Sequence, residues 1–91
     1  MGSWLSVKVR VLVRPKEGIL DPQGQAVERA LPALGYEGVS KVRIGRLIEL
    51  EVSDSEPDSA TSSVREMCER LLANPLIESY QVEALPDEEG R

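Results

Sequence analysis

The sequence contains no histidine and only one cysteine, and these two shortages exclude most enzyme chemistry. A single cysteine allows no internal disulfide, and without histidine there is no Cys/His zinc cluster and no Ser-His or Cys-His catalytic pair. Cys68 lies beside Met67 in a helical apolar pattern and has no evident base, so we interpret its thiol as a packing group.

Aromatic side chains are also scarce, with no Phe, one Trp and two Tyr in 91 residues. The core must therefore consist of Val, Leu, Ile and Ala, and a chain of this length buries only about 60 to 65% of its unfolded surface. We expect association between copies to bury more apolar surface. Since the sequence has no signal peptide and no apolar run of about eighteen residues, we expect a soluble, cytoplasmic protein.

The formal net charge of −5 is distributed unevenly along the chain. Residues 1–46 carry eight basic and four acidic side chains, whereas residues 47–91 carry three basic and twelve acidic ones. Such a chain is a poor candidate for general nucleic-acid binding, and packing between copies could use the asymmetry. We predict one domain over residues 1–85 and a flexible acidic tail over residues 86–91.

Alternation and helical spacing predict two strands and two helices outside the central segment. Residues 6–14 alternate with valine on one face, and residues 77–85 place Tyr80, Val82 and Ala84 on one face. A first helix begins at an Asp21 cap with Pro22 at its first position, and Pro32 should distort its last turn before Gly35. A second helix begins near Pro57 and closes at Asn74. The apolar stripe of the first helix comprises Ala26, Val27, Ala30, Leu31 and Leu34.

The central segment, residues 41–52, keeps an apolar row that only Arg46 interrupts. A two-residue hairpin turn at Gly45 and Arg46 would break the parity of that row, so we favour one long strand bent at Gly45. Twelve residues of strand span about 40 Å, which exceeds the width of a domain of this size. Part of the strand should therefore pair outside its own protomer.

The predicted order is β-α-β-α-β with a long bent central strand, or β-α-β-β-α-β if Gly45 does turn. Either order gives an α+β fold related to the ferredoxin-like class, with an antiparallel sheet and both helices on one face.

No group of residues has the composition and spacing expected of an active site. Asp21 lacks a partner for acid-base work, and Gly18 with Gly24 lacks the spacing of a phosphate-binding fingerprint, so both are better explained as cap and loop residues. An RNA-recognition module would need aromatic side chains on its sheet, which are missing from the first two strands. A small regulatory domain binding an amino acid at the Asp21 to Gly24 turn is a further alternative.

Three runs together resemble the PurS family of phosphoribosylformylglycinamidine synthase subunits. They are VLVRPKEGILDPQGQAVERAL at 11–31, LGYEGVSKVRIGRLIELEV at 34–52 and VREMCERLLANPLIESYQVE at 64–83. The resemblance implies a subunit with no catalytic residues of its own, which bridges a PurQ-type glutaminase and a PurL-type amidoligase and assists ammonia transfer. It also implies a homodimer or tetramer, with no cofactor on this chain and ATP and Mg²⁺ on the amidoligase.

We expect partner contacts on the turn before the first helix and around the bend of the central strand. Loops at sheet ends protrude, and arginine is favoured at interfaces. The candidate residues are Asp21, Pro22, Gln23, Gly24, Arg43, Gly45 and Arg46.

Overall fold

The computed structural model of the chain describes residues 6–85, which form a three-stranded sheet and two helices. The predicted acidic tail, residues 86–91, lies outside the described residues. In chain order the elements are β1 (Ser6–Pro15), α1 (Pro22–Ala30), a 3-10 turn (Pro32–Leu34), β2 (Arg46–Ser53), α2 (Pro57–Met67), a π-helical turn (Cys68–Leu72) and β3 (Glu78–Ala84).

The sheet is antiparallel in the order β2-β1-β3, so the valine-rich first strand lies in the centre. Val11 lies opposite Ile48 on one side and Val82 on the other, which continues the apolar row across all three strands. The predicted α+β, antiparallel, ferredoxin-like architecture is confirmed, and within residues 6–85 it takes the β-α-β-α-β form.

The core lies between this valine face and α2. Side chains from both elements are completely buried, and Ala73 closes the cluster after the helix. Burial of the Cys68 side chain raises the pKa of its thiol, because an apolar environment disfavours the thiolate. The packing role predicted for this cysteine is confirmed. The completely buried members are Val9, Val11, Ala60, Val64 and Cys68.

The prediction that both helices lie on one face of the sheet is wrong for α1, which extends away from the sheet, so only α2 packs on the valine face. The ends of α1 follow the prediction: Asp21 caps it, Pro32 replaces its last turn with a 3-10 turn, and Gly35 follows in the left-handed region. Gly24 is its only buried residue, however, and most of the predicted apolar stripe is exposed. The Cα radius of gyration is 17.1 Å, against about 12 Å for a compact domain of this length.

The predicted long central strand was too long at its start. Only Arg46–Ser53 is β-strand, and residues 41–45 have no strand partner within the described chain. The pairing with β1 ends at Arg46 and Val13, although β1 continues to Pro15. Before Arg46 the backbone N–H groups of Ile44 and Val42 bond to Asp21 and Glu28 instead of a strand, and Lys41 adopts a left-handed φ of 59° that a strand cannot contain. Gly45 has no positive φ, so the type II′ hairpin turn is excluded.

The end of α2 also differs from the prediction. Asn74 does not adopt the left-handed conformation, since Lys41 is the only described residue other than glycine with a positive φ. Instead the helix widens into the π-helical turn and stops at Ala73, which is extended. Asn74 then organises the turn into β3, because its carbonyl accepts hydrogen bonds from the backbone N–H groups of Ile77 and Glu78.

Candidate docking surface

Two carboxylates of the first helix hold the segment that leads into β2. The Asp21 Oδ2 atom accepts a hydrogen bond from the backbone N–H of Ile44 at 2.8 Å, and Glu28 accepts one from Val42 at 3.2 Å. Gly24 permits this approach, because a Cβ there would lie 2.4 Å from the Val42 carbonyl oxygen. Residues 21–45, which we call the arm, are therefore held together as a unit.

Asp21 is fully engaged by this structural role. Its Oδ1 atom accepts a hydrogen bond from the Gly24 N–H at 3.1 Å, in addition to the Ile44 contact. The hydrogen bond from Ile44, and next that from Gly24, lower the pKa of the carboxyl group, since both favour the charged form. A general base needs a carboxylate free to accept a proton from the substrate, whereas both oxygens of Asp21 accept backbone hydrogen bonds, so the arrangement disfavours catalysis by Asp21.

Arg46 connects the end of α2 to the start of β3. Its guanidinium forms an ion pair with Glu78 at 3.0 Å and donates a hydrogen bond to the Leu72 carbonyl oxygen at 2.6 Å. The hydrogen bond from Arg46 is the main cause that lowers the pKa of Glu78. The arginine that interrupts the apolar row of β2 thus satisfies a carbonyl group left free at the helix end.

Replacing Arg46 by alanine should lower the free energy of unfolding by about 1 kcal/mol at neutral pH, because Arg46 is half exposed and solvent weakens its ion pair. Arg46 depresses the Glu78 pKa, so this contribution is present above the pKa of the unfolded carboxyl and is lost as pH falls through the folded value. Urea unfolding at neutral and acid pH measures both effects. Arg70→Ala, an exposed change in the π-helical turn, is the control, and an equal loss in both variants would contradict the assignment.

The face of the sheet opposite α2 carries compensating charges. Arg10 of β1 forms ion pairs with Glu49 at 3.7 Å and with Glu83 at 3.5 Å. Lys8 lies opposite Glu51 in the strand register. Two of the basic residues of β1, Lys8 and Arg10, therefore face acidic residues on the neighbouring strands. This arrangement disfavours RNA binding, because the carboxylates would repel phosphate groups.

A groove of about 400 Å³ lies on the same face at the other end of β1. Arg14 and Arg43 line it, and neither guanidinium forms an ion pair or a side-chain hydrogen bond within residues 6–85. We call this the arginine groove. Its lining residues are Leu12, Val13, Arg14, Arg43, Gly45, Arg46, Leu47 and Gln81.

The seven residues predicted from the sequence lie at two connected places. Asp21 and Gly24 hold the arm together, while Arg43, Gly45 and Arg46 line the arginine groove. Pro22 and Gln23 are exposed in the first turn of α1 and belong to neither contact. Their role in partner binding stays a prediction.

Sequence reasoning missed five residues of the groove and Glu28 of the arm. The five are Leu12, Val13, Arg14, Leu47 and Gln81. Leu12 gave a signal, since it is the one apolar side chain on the charged face of β1, and its partner Leu47 shares the parity of Glu49 and Glu51. Glu28 gave none, because its contact joins residues 14 positions apart. The described residues contain neither a cluster of potential metal ligands nor a helix able to cross a membrane.

Comparison with known proteins identifies the family. The family model described as PurS, phosphoribosylformylglycinamidine (FGAM) synthase, matches residues 8–86. The PurS subunit of Bacillus subtilis is 50% identical over 76 residues, covering 84% of this chain and 89% of that protein. The Synechocystis PurS subunit is 44% identical over 75 residues, covering 82% of this chain and 75% of that protein.

Solved structures agree with this result. PurS from B. subtilis has a TM-score of 0.76 at 48% identity, covering 88% of this chain and 99% of that chain. A chain in the structure of PurLQS from Thermotoga maritima has a TM-score of 0.79 at 35% identity, covering 88% of this chain and 98% of that one. The chain described here therefore belongs to the PurS family of phosphoribosylformylglycinamidine synthase subunits, which act in purine biosynthesis.

Proposed function

We propose that this chain is the non-catalytic subunit that joins a PurL-type amidoligase and a PurQ-type glutaminase in one complex. The observation that carries the proposal is its similarity to a chain of the T. maritima PurLQS structure, with a TM-score of 0.79 over 88% of its length. The geometry is consistent with an assembly role, because the carboxylates of Asp21 and Glu28 and the guanidinium of Arg46 are engaged in contacts that hold the fold together.

The complex would convert formylglycinamide ribonucleotide, glutamine and ATP into formylglycinamidine ribonucleotide in the cytoplasm. The glutaminase releases ammonia, which is largely protonated in water and diffuses away, so its transfer requires docked subunits more than an additional catalytic group. ATP and Mg²⁺ belong on the amidoligase in this scheme, and this chain binds no cofactor. Its contribution is to position the two larger subunits and to assist ammonia transfer.

The functional form is a homodimer or tetramer. Helix α1 leaves its apolar stripe exposed, with Val27 at 39% and Leu34 at 70% exposure. Strands β2 and β3 each pair only with β1 within residues 6–85, so each also offers a free edge. A second copy that covers α1 would bury this surface and supply the burial that a small aromatic-poor core lacks.

Reconstitution of the synthase tests the assembly role. The chain alone should show no glutaminase or ligase activity, whereas adding it to purified PurL-type and PurQ-type subunits should restore glutamine-dependent amidine formation. Amidine formation with ammonium salt in place of glutamine is the control, because it bypasses transfer between subunits. Equal glutamine-dependent rates with and without the chain would contradict the proposal.

A further inference from the structure

We propose that the arginine groove binds an acidic segment of a protein partner, in which carboxylates flank an apolar side chain. The inference rests on the proposed assembly function and specifies the chemistry of one docking contact. It concerns the groove floor formed by Leu12 and Leu47 and the two guanidinium groups of Arg14 and Arg43.

The charge pattern of the sheet face selects an anionic occupant. Arg10 is neutralised by glutamates of both neighbouring strands, but no glutamate lies opposite Arg14, whose partner in β3 is Ser79. The groove lining contains three arginines and no carboxylate, and only Arg46 has its guanidinium engaged within residues 6–85. After the backbone hydrogen bonds to Asp21, the positive charge of Arg43 contributes to lowering the pKa of that carboxyl group, but the two side chains form no ion pair or hydrogen bond with each other. The N–H donors of Arg14 and Arg43 are thus available for bidentate contacts with carboxylates.

The floor of the groove selects a peptide over a small anion. Leu12 is 41% exposed and Leu47 is 54% exposed, and they lie directly opposite each other in adjacent strands. A phosphate or free carboxylate would leave these apolar surfaces in water. A partner segment that places an apolar side chain on the two leucines and carboxylates at the arginines would cover both kinds of surface.

The last described residue, Leu85, lies at the other end of the sheet from the groove. Its backbone N–H donates to the Lys8 carbonyl oxygen, and Arg14 lies six residues farther along β1, or about 20 Å at strand spacing. The acidic residues 87–89 of the same or a second copy are the competing occupants, and removal of residues 86–91 distinguishes them from a partner segment.

Side-chain NMR of the arginines in the full-length chain tests the proposal directly. The probe is the acetylated, amidated peptide Glu-Leu-Glu-Leu-Glu, which should shift the Nε–H resonances of Arg14 and Arg43 but not that of Arg29. The double variant Arg14→Gln with Arg43→Gln should bind the peptide about 10-fold more weakly, since it loses two charge-assisted contacts.

A second double variant, Lys8→Gln with Arg29→Gln, removes the same net charge outside the groove and should bind within about twofold of the unaltered chain. Equal weakening in both double variants would overturn the groove assignment. Two further results would also overturn it: inorganic phosphate displacing the peptide at equal concentration, or removal of residues 86–91 strengthening peptide binding, since the tail of the same or a second copy would then occupy the site.

Binding of the PurL-type and PurQ-type subunits separates this inference from the proposed function. If the groove is a docking contact, the Arg14→Gln and Arg43→Gln chain should need about 10-fold higher concentration to restore glutamine-dependent activity. Full restoration at unchanged concentration would overturn the groove while leaving the assembly role intact. Failure of the unaltered chain to restore activity would instead contradict the assembly role, and the peptide titration would still decide whether the groove binds acidic segments.

Discussion

Replacement of Val27 by glutamate is expected to weaken self-association of the chain about 100-fold, because a buried interface does not tolerate an unpaired carboxylate. Val27 lies on the apolar stripe of α1, which the sheet of its own protomer leaves uncovered. A second copy covering that stripe would bury the new charge. Sedimentation velocity over a concentration series measures the change as a shift from oligomer to monomer.

The stability of the single subunit should change by less than about 0.5 kcal/mol in this variant, since position 27 is exposed there. Gln25→Glu is the matched control, because it adds the same charge to the same helix on the side away from the stripe. If Val27→Glu and Gln25→Glu sediment alike, the apolar stripe is not the self-association surface. Because both variants add one negative charge to α1, a difference between them reports the position of that charge and not the change in net charge.

Substitution of Gly45 by alanine is expected to lower the free energy of unfolding by about 3 kcal/mol, the upper range for overpacking at a rigid site. A Cβ at this position would lie 2.3 Å from the Val13 carbonyl oxygen and 3.2 Å from the Arg14 Cα. Both atoms belong to the backbone of β1, so rotation of a side chain cannot relieve the clash. Urea unfolding followed by circular dichroism measures the loss.

Gly35→Ala provides the matched control for Gly45→Ala. Gly35 has a φ of 97°, and a Cβ added there would meet no atom within 4 Å beyond its chain neighbours, so its substitution causes backbone strain without a steric clash. That strain should cost about 1 kcal/mol. Equal losses of stability at the two glycines would contradict the steric explanation for Gly45. A negligible loss at Gly45 would also contradict it, because it would show that the backbone at Gly45 can move away from β1.

The sequence correctly predicted those elements that depend on interactions between residues close to each other in the chain. Alternating valines identified β1, and the Asp21 cap with Pro22 located the start of α1, because both signals depend on near neighbours in the chain. The β-α-β-α-β order and the half-buried face of β3 followed for the same reason.

The predicted start of β2 was wrong because the alternation of apolar and polar residues begins before the residues that pair with β1. Residues 41–45 keep an apolar alternation, but their backbone N–H groups at Val42 and Ile44 are bonded to the carboxylates of Glu28 and Asp21 instead of to a strand. These contacts join residues 14 and 23 positions apart and cannot be read from residues 41–52. The candidate site was likewise incomplete, because Arg14 and Gln81 reach the groove only through the strand register.

The arm is held by bonds to peptide N–H groups at Val42 and Ile44, and the nature of the side chains at those positions does not enter. The course of the arm therefore depends on Asp21, Gly24 and Glu28. The side chain at a neighbouring position such as Arg43 can be substituted without removing either hydrogen bond. A substitution at Arg43 would therefore change the chemistry of the arginine groove while leaving intact both hydrogen bonds that position the arm.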